Sequence, residues 1–255
     1  MKGIFASLLL STVILPFGAH AMERTEADSL IARAQRAYSA GDQRTALALY
    51  DSANTRYTSA ALLYNIGNCH FKLNDIPHAI LFYERALLRE PGADDIRSNL
   101  ELARQQTLDR VNELPGLQLG STWERWRGGH DVDQWARRSL WTWATALFLF
   151  ALSMAVTGLF LKRSLQVLTG IAVVVAIGAV VLAGTRTHEV RHPDGAIVMA
   201  PRVDVTSEPR VGSTALFLLH AGTKVTVRKE EAGWAEVALA NGNVGWMPVR
   251  AIERI

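Results

Sequence analysis

The hydrophobic pattern of the chain is dominated by two long apolar segments. Residues 139–161 and 165–185 carry no formal charge, and the basic pair Lys162-Arg163 lies between them. At about 1.5 Å per residue, helices of these lengths reach roughly 34 and 31 Å, enough to cross a hydrocarbon core of about 30 Å. Residues 139–185 therefore predict a transmembrane helical hairpin with its turn at residues 162–164. The alternative is a pair of buried helices in a soluble domain.

The N-terminus has the pattern of a secretory signal peptide over residues 1–21. Lys2 supplies a positive charge, residues 3–17 are mostly apolar, and residues 19–21 fit the A-x-A cleavage rule. Cleaved or retained, such a segment places the next residues outside the cytoplasm. The basic turn of the hairpin is then cytoplasmic, as short basic loops tend to be. We predict a bacterial inner (cytoplasmic) membrane protein with two spans and two periplasmic domains.

A repeated helix-pair pattern follows the signal peptide. Residues 60–93 resemble a tetratricopeptide repeat (TPR), with large, small and helix-breaking residues at Leu63, Ile66, Gly67, Ala79, Tyr83, Ala86 and Pro91. An earlier copy, displaced by 33 residues, places Ala34, Tyr38, Ala46, Tyr50 and Ala53 opposite Gly67, Phe71, Ala79, Tyr83 and Ala86. We predict an all-α TPR domain over residues 23–110, closed by a capping helix at about 94–106. Asp75 is the expected cap of the second helix in residues 60–93.

The TPR resemblance implies a groove that binds peptides or partner proteins. The candidate groove residues are Gln35, Tyr38, Tyr64, Asn68, Phe71 and Lys72. For Tyr38 and Phe71 the alternative is a place in the core, since aromatic side chains are usually largely buried. Two repeats with a cap form a short array, so we expect a partner protein or the membrane hairpin to add packing.

Residues 111–138 read as an interfacial linker of short amphipathic pieces. The segment contains several glycines, and charged residues separate Trp123, Trp126 and Trp135. Trp135 also lies with Trp141 and Trp143 around the start of the first apolar segment, as in an interfacial aromatic belt.

After the second apolar segment the pattern changes to short strands. Alternating or short apolar runs occupy residues 196–200, 203–207, 224–229, 234–240 and 244–249. Asn241-Gly242 is a tight hairpin signal. These runs predict a small all-β barrel over residues 190–255. The strings at residues 200–201, 203–205, 216–223, 233–234 and 245–246 together resemble a bacterial SH3-type domain. The two tryptophans are candidates for a binding groove, and the alternative is that they pack in the barrel.

Composition and isolated motifs limit the chemistry. The net charge of +3 gives no basis for nucleic-acid binding, and Cys69, the only cysteine, is expected to pack as a small buried residue. Residues 188–192 spell H-E-x-x-H, a zinc peptidase motif when it lies on a helix. Pro193 follows directly in a short connector without an evident third ligand, so we treat a zinc peptidase as a remote alternative. We predict no enzyme activity, no cofactor and no metal.

The order of parts resembles the BatE type of the aerotolerance-operon (Bat) family. The resemblance rests on residues 64–68, 99–104, 196–207 and 216–223 together with the hairpin. It implies a membrane-bound, non-enzymatic scaffold that binds von Willebrand A-type membrane proteins and, through them, a MoxR-type ATPase in envelope or oxidative-stress tolerance. The alternative is a cell-envelope sensor whose SH3-like domain binds peptidoglycan.

Overall fold

A computed structural model of the chain describes residues 17–111, 132–191 and 193–255. The chain divides into two compact units, Met1–Thr58 and Ser59–Ile255. Much of the predicted signal peptide, and Trp123 and Trp126 of the predicted linker, lie outside the described residues.

The first unit contains a pair of packed helices, α1 (Phe17–Ser39) and α2 (Gln43–Asn54). Alanines and one tyrosine form the contact, since Ala34, Ala46, Tyr50 and Ala53 are all buried. The turn between the helices contains Gly41, whose φ is +84°, a backbone conformation that glycine adopts without strain. Asp42 then caps α2 by accepting a hydrogen bond from Thr45 N at 3.1 Å.

The second unit begins with another helix pair, α3 (Ala60–Lys72) and α4 (Ile76–Arg89), followed by α5 (Asp94–Arg104). A Cβ on Gly67 would lie 2.7 Å from the Tyr83 ring, so only glycine lets the two helices approach this closely. Ala79, Tyr83 and Ala86 are buried like their counterparts in α2, and Cys69 is fully buried as predicted. The predicted helix pair and its capping helix are therefore present.

Asp75 does not cap α4, which corrects the sequence expectation. It occupies the N-cap position but makes no side-chain capping bond. Its two carboxylate oxygens are instead engaged by His70 at 3.0 Å and His78 at 2.8 Å. Pro77, in the first turn of α4, also has no N–H to offer.

The C-terminal region forms a seven-stranded antiparallel sheet. The strands are β1 (Gly195–Val198), β2 (Arg202–Thr206), β3 (Ala215–His220), β4 (Lys224–Glu231), β5 (Trp234–Ala238), β6 (Val244–Pro248) and β7 (Ile252–Arg254), with a short 3-10 helix, Val249–Ala251, before β7. Their order in the sheet is β3-β2-β6-β5-β4-β1-β7. The predicted hairpin at Asn241-Gly242 joins β5 to β6, and Gly242 has a φ of +86°.

The sheet is not the closed barrel that the sequence suggested. Its outermost strands are β3 and β7, and the pairings described for the sheet leave these two edges unjoined. One core nevertheless gathers residues from both ends of the sheet, including Leu219 of β3 and Ala251 before β7. We infer that the sheet curls over this core. The sequence expectation also lacked two strands, β3 and β7.

The helices and the sheet of the second unit pack against each other. Ile197 of β1 is fully buried in the same cluster as Ile80, Leu81 and Ile96 of the helices. The turn after β3 lies close by, because a Cβ on Gly222 would stand 2.7 Å from Thr107 and 3.4 Å from Ile80. β1 thus adds packing to the helices of the second unit, a source that the sequence did not indicate.

Two long helices connect these parts, and they differ from the predicted hairpin. The helices α6 (Val132–Ala155) and α7 (Leu159–Arg191) pack side by side, and the break between them lies at residues 156–158 instead of 162–164. Thr157 and Gly158 have low helix propensity, whereas Lys162 and Arg163 are good helix formers and continue α7. The linker prediction also fails at its end, since residues 132–138 belong to α6 and Trp135 is buried there.

Only one helical segment in the described residues, Leu159–Thr185, is long and apolar enough to cross a membrane by length and composition. Just 11% of its most apolar window is buried, so it is not enclosed as a core helix of a soluble domain would be. Large apolar side chains on both long helices are also exposed, including Trp141 at 74% and Phe160 at 87%. Exposed apolar surfaces of this kind are typical of segments that contact a membrane or another protein.

The contact between the helices and the sheet predicts that their stabilities are coupled. We expect Ile197→Ala to lower the free energy of unfolding by about 2–4 kcal/mol, because it opens a cavity in the shared core. Thermal and denaturant unfolding of the detergent-solubilised full chain, followed by circular dichroism, measures this change. Val211→Ala is the control, since Val211 is 92% exposed and its truncation should have little effect. Equal stability of the two variants would contradict a shared core.

Candidate functional site

One face of α3 carries the candidate groove residues of the second unit. Tyr64, Asn68, Phe71 and Lys72 follow one another at the spacing that places side chains on one side of a helix. We call these four residues the α3 surface. The first three are half-buried and Lys72 is exposed. Phe71 packs only partly against the helical core, so the expectation of a core residue is met in part.

A hydrogen-bond network fixes the amide and the phenol of the α3 surface. Tyr83 Oη donates to Asn68 Oδ1 at 2.8 Å. Asn99 of α5 donates through Nδ2 to Tyr64 Oη at 2.8 Å and to Asn68 Oδ1 at 3.1 Å. The rings of Tyr64 and Tyr83 lie 5.9 Å apart. The network links α3, α4 and α5. It also fixes the orientation of Asn68, whose amide oxygen accepts hydrogen bonds from both Tyr83 and Asn99.

Asn99 is a residue whose role the sequence did not indicate. Its segment was noticed as part of the capping helix, but helical spacing within α3 alone gives no sign that α5 reaches the same side chains. The other two groove candidates, Gln35 and Tyr38, belong to α1 of the first unit. Gln35 is exposed and Tyr38 is half-buried there.

The side of α4 that meets the sheet is held by charged groups. Glu84 is almost fully buried and accepts hydrogen bonds from Arg104 at 2.6 Å and from Lys224 of β4 at 2.8 Å. Arg85 binds Glu253 at 3.1 Å and the carbonyl oxygen of Arg254 at 2.6 Å. A buried carboxylate needs such partners, since an unpaired one would be strongly destabilising.

Asp109, just after α5, ties the chain to the turn between β3 and β4. Its carboxylate accepts hydrogen bonds from the His220 backbone N–H at 2.6 Å, from the Thr223 hydroxyl at 2.7 Å and from His220 Nδ1 at 2.8 Å. Burial alone would raise the pKa of Asp109, but these hydrogen bonds outweigh it and lower that pKa below its ordinary value of 3.8.

The two tryptophans proposed for the SH3-like groove lie on the outer face of the sheet. Neither belongs to the core cluster, and both are half-buried. Trp234 pairs with Pro248 and Trp246 pairs with Glu236, which makes the two indoles diagonal neighbours on one face. Lys229 Nζ stands 6.0 Å from the centre of the Trp246 ring. Neither tryptophan is buried in the sheet core, and both pack partly against the sheet surface, which is the other part of the alternative.

The H-E-x-x-H segment differs from its expected setting. His188, Glu189 and Arg191 are part of α7, whereas His192 lies outside the described residues. A different group of metal-ligating type is present at the turn between α3 and α4. It comprises His70, Asp75 and His78, whose ligand atoms all lie within 4.8 Å of one another. The three residues are close in the sequence, but their spacing matches no known metal-binding motif, so the sequence does not indicate the site.

Comparison with known families supports the helical part. Residues 60–92 match the family model of the tetratricopeptide repeat, a module that generally mediates protein–protein interactions. No curated protein matches the chain. The matched segment covers α3, α4 and the start of the loop before α5, and therefore includes the whole α3 surface.

The lowered pKa of Asp109 predicts a specific acid sensitivity. Because the folded-state pKa lies below the unfolded-state value, the stabilisation is present above about pH 3.8 and is lost as the pH falls through the folded-state pKa. We expect Asp109→Asn to be less stable at neutral pH and to lose less further stability on acidification. Unfolding temperatures measured from neutral to acidic pH test this.

The control for Asp109→Asn is Asp204→Asn, because Asp204 is exposed on β2. We expect this control to keep the acid response of the wild type. An acid response of Asp109→Asn that matches the wild type would show that the carboxylate does not stabilise the contact.

Proposed function

We propose that this protein is a non-enzymatic, membrane-anchored scaffold that binds a partner protein through the α3 surface. The observation that carries the proposal is the half-exposed set of Tyr64, Asn68, Phe71 and Lys72 within the matched repeat. An aromatic pair, an oriented amide and a lysine offer stacking, hydrogen bonding and charge to an extended polypeptide. The network through Asn99 holds Tyr64 and Asn68 in place before binding, which reduces the entropy cost of association.

The segment that connects the helical repeats to the sheet supports the proposed membrane anchor. Residues 59–111 and 193–255 pack together through Ile197, Glu84 and Asp109. The chain between them therefore starts and ends at the same packed domain. A single membrane crossing would separate those contacts across a bilayer, whereas two crossings keep them on one side. In this proposal α7, whose segment Leu159–Thr185 is long and apolar enough, supplies one crossing, and the shorter apolar part of α6 packed against it supplies the other.

Of the two helices, α7 is long enough to cross a membrane, and the uncharged part of α6 is shorter. Leu159–Thr185 is long enough alone. The uncharged part of α6, residues 139–155, reaches roughly 25 Å at about 1.5 Å per residue, near the short end of spanning helices. Lys162 and Arg163 lie about one turn inside α7, where long side chains reach toward the headgroups. The proposed topology places this end in the cytoplasm and both soluble parts in the periplasm.

The proposed setting is a Bat-type complex of the cell envelope. It is supported by the sequence resemblance alone, which implies von Willebrand A-type membrane proteins as direct partners and a MoxR-type ATPase as an indirect one. A hairpin anchor fits membrane partners, because it confines both proteins to the same plane and raises their effective concentration.

A second candidate function is cell-wall binding by the sheet. The position of Trp234 and Trp246 on the outer face favours it, since paired indoles present a flat apolar platform with polar edges. In this alternative the chain is an envelope sensor whose ligand is peptidoglycan.

Charge reversal on the α3 surface tests the scaffold proposal. We expect Lys72→Glu to abolish co-purification of von Willebrand A-type membrane proteins with the gently solubilised full chain, because the exposed lysine contributes to the partner contact. Mass spectrometry of the co-purified proteins gives the readout. Arg89→Glu is the matched control, since Arg89 is also exposed on a helix and carries the same charge.

Three outcomes of this experiment would contradict the proposal in different ways. Recovery of the partners with both variants would place the contact away from the α3 surface. Loss with both variants would indicate a nonspecific charge effect. Recovery of peptidoglycan fragments without any partner protein would favour the second candidate.

The proposed topology predicts opposite accessibility of two introduced cysteines. Cys69 is fully buried and gives little background. We expect a membrane-impermeant maleimide to label Val211→Cys in cells with a permeabilised outer membrane, and to label Gly158→Cys only after the inner membrane is opened. Labelling of both positions from the same side would rule out the hairpin.

A further inference from the structure

We propose that His70, Asp75 and His78 form a binding site for a zinc-type divalent transition-metal ion at the turn between α3 and α4. Two imidazoles and a carboxylate are the donor types that Zn²⁺ and its neighbours in the first transition series accept. Hard cations such as Mg²⁺ prefer oxygen ligands, so this set selects against them. The site is separate from the H-E-x-x-H segment and from the α3 surface residues.

The backbone of the turn brings the three side chains together. Asn74 has a φ of +62°, and this left-handed residue ends α3. Asn74 N then donates to Phe71 O at 3.1 Å and Asp75 N donates to His70 O at 2.9 Å, which is the hydrogen-bond pair of a Schellman motif. The motif places Asp75 beside the last turn of α3, where His70 lies. His78, three residues after Asp75, returns to it from the first turn of α4.

The rings are held in an orientation that aims both imidazoles at one carboxylate. His70 stacks on Phe82 with ring centroids 5.4 Å apart and on His78 with ring centroids 5.0 Å apart. Nδ1 of each imidazole lies within hydrogen-bond distance of a different oxygen of Asp75, at 3.0 and 2.8 Å. Side-chain exposures of 13% for His70 and 40% for His78 leave an approach from solvent.

The ligand atoms lie within 4.8 Å of one another, which can be compared with the separations in a tetrahedral metal site. Zn–N and Zn–O bonds of about 2.0–2.2 Å separate neighbouring ligand atoms by roughly 3.4 Å. The nitrogen–oxygen distances at Asp75 are a few tenths of an ångström shorter, as expected where a proton links each pair. Because the two nitrogens contact different oxygens of Asp75, binding one ion in place of these protons requires the rings to move outward and toward a shared oxygen, and water can supply the fourth ligand.

The first helix pair provides an internal comparison. Its turn has the same geometry, with Gly41 left-handed, Gly41 N donating to Tyr38 O, and Asp42 N donating to Ala37 O. There Asp42 caps α2, and Ala37 and Thr45 stand where the second turn has His70 and His78. The helix-pair fold therefore requires neither histidine, and Asp75 has left its capping role to face them. This difference points to a function of the second turn beyond folding.

Zinc titration of the full chain tests the proposal. The chain would carry a purification tag without histidine and be freed of metal with a chelator before calorimetry with Zn²⁺. We expect one bound Zn²⁺ per chain, loss of this binding in His78→Gln, and retention in His188→Gln, which removes a ligand of the H-E-x-x-H segment. Mg²⁺ should not compete. Circular dichroism of each variant checks that the fold is kept.

The unfolding temperature provides a second readout that does not depend on calorimetric heats of binding. Zn²⁺ should raise the unfolding temperature of the wild type and of Asp42→Asn, but not that of His78→Gln, because a ligand stabilises only a fold that binds it. Absence of Zn²⁺ binding to the wild type would overturn the proposal and leave the three residues as a hydrogen-bonded clamp. Binding that survives His78→Gln or disappears in His188→Gln would place the metal elsewhere.

Discussion

The contact between α4 and β1 is the constraint on which the second unit depends. It joins segments that are separated in sequence by two long apolar helices. The chain must therefore leave the packed helices and sheet before α6 and return to them after α7. The buried cluster that contains Ile80 and Ile197 supplies the apolar part of this contact. Since a hydrophobic cluster of this kind cannot persist across a bilayer, the proposed membrane anchor would need an even number of crossings.

Polar groups at the same contact make it specific. Glu84 and Asp109 are carboxylates with little exposure, and each accepts hydrogen bonds from residues of the sheet. A buried carboxylate without a partner is strongly destabilising. The arrangement of helices and sheet that pairs both carboxylates is therefore favoured over other arrangements with similar hydrophobic contacts. Because the sheet engages α4, the neighbouring helix α3 is left to present a half-exposed aromatic and polar surface. In the proposed function, α4 provides the structural support and α3 the partner recognition within one repeat.

The sequence predicted the features that arise from local repetition. Gly67 opposite Tyr83 and the spacing of 33 residues between copies are short-range signals, and the helix pairs have the predicted form. The sequence does not reveal the break at residues 156–158, because the charged pair Lys162-Arg163 suggests a turn but consists of good helix formers. An open sheet rather than a barrel was also missed, since edge pairing depends on strands such as β7 that are too short to stand out.

Contacts between distant segments were beyond the reach of the sequence. Nothing in the pattern around Ile197 distinguishes a residue that faces the sheet core from one that faces the helices. The same is true of Asn99 and of the group formed by His70, Asp75 and His78, which no motif describes. In each case the residue types were visible, but their proximity follows from a turn or a packing contact that only the folded chain contains.

The most direct test of the central contact is to cut the chain between the parts that it joins. A protease site placed within residues 112–131 would separate the helical repeats from the apolar helices and the sheet in the solubilised protein. The account predicts that the two fragments still co-elute in size-exclusion chromatography, because α4 and β1 hold them together without the covalent link. Separate elution of the folded fragments would contradict the single body, and with it the argument for an even number of crossings.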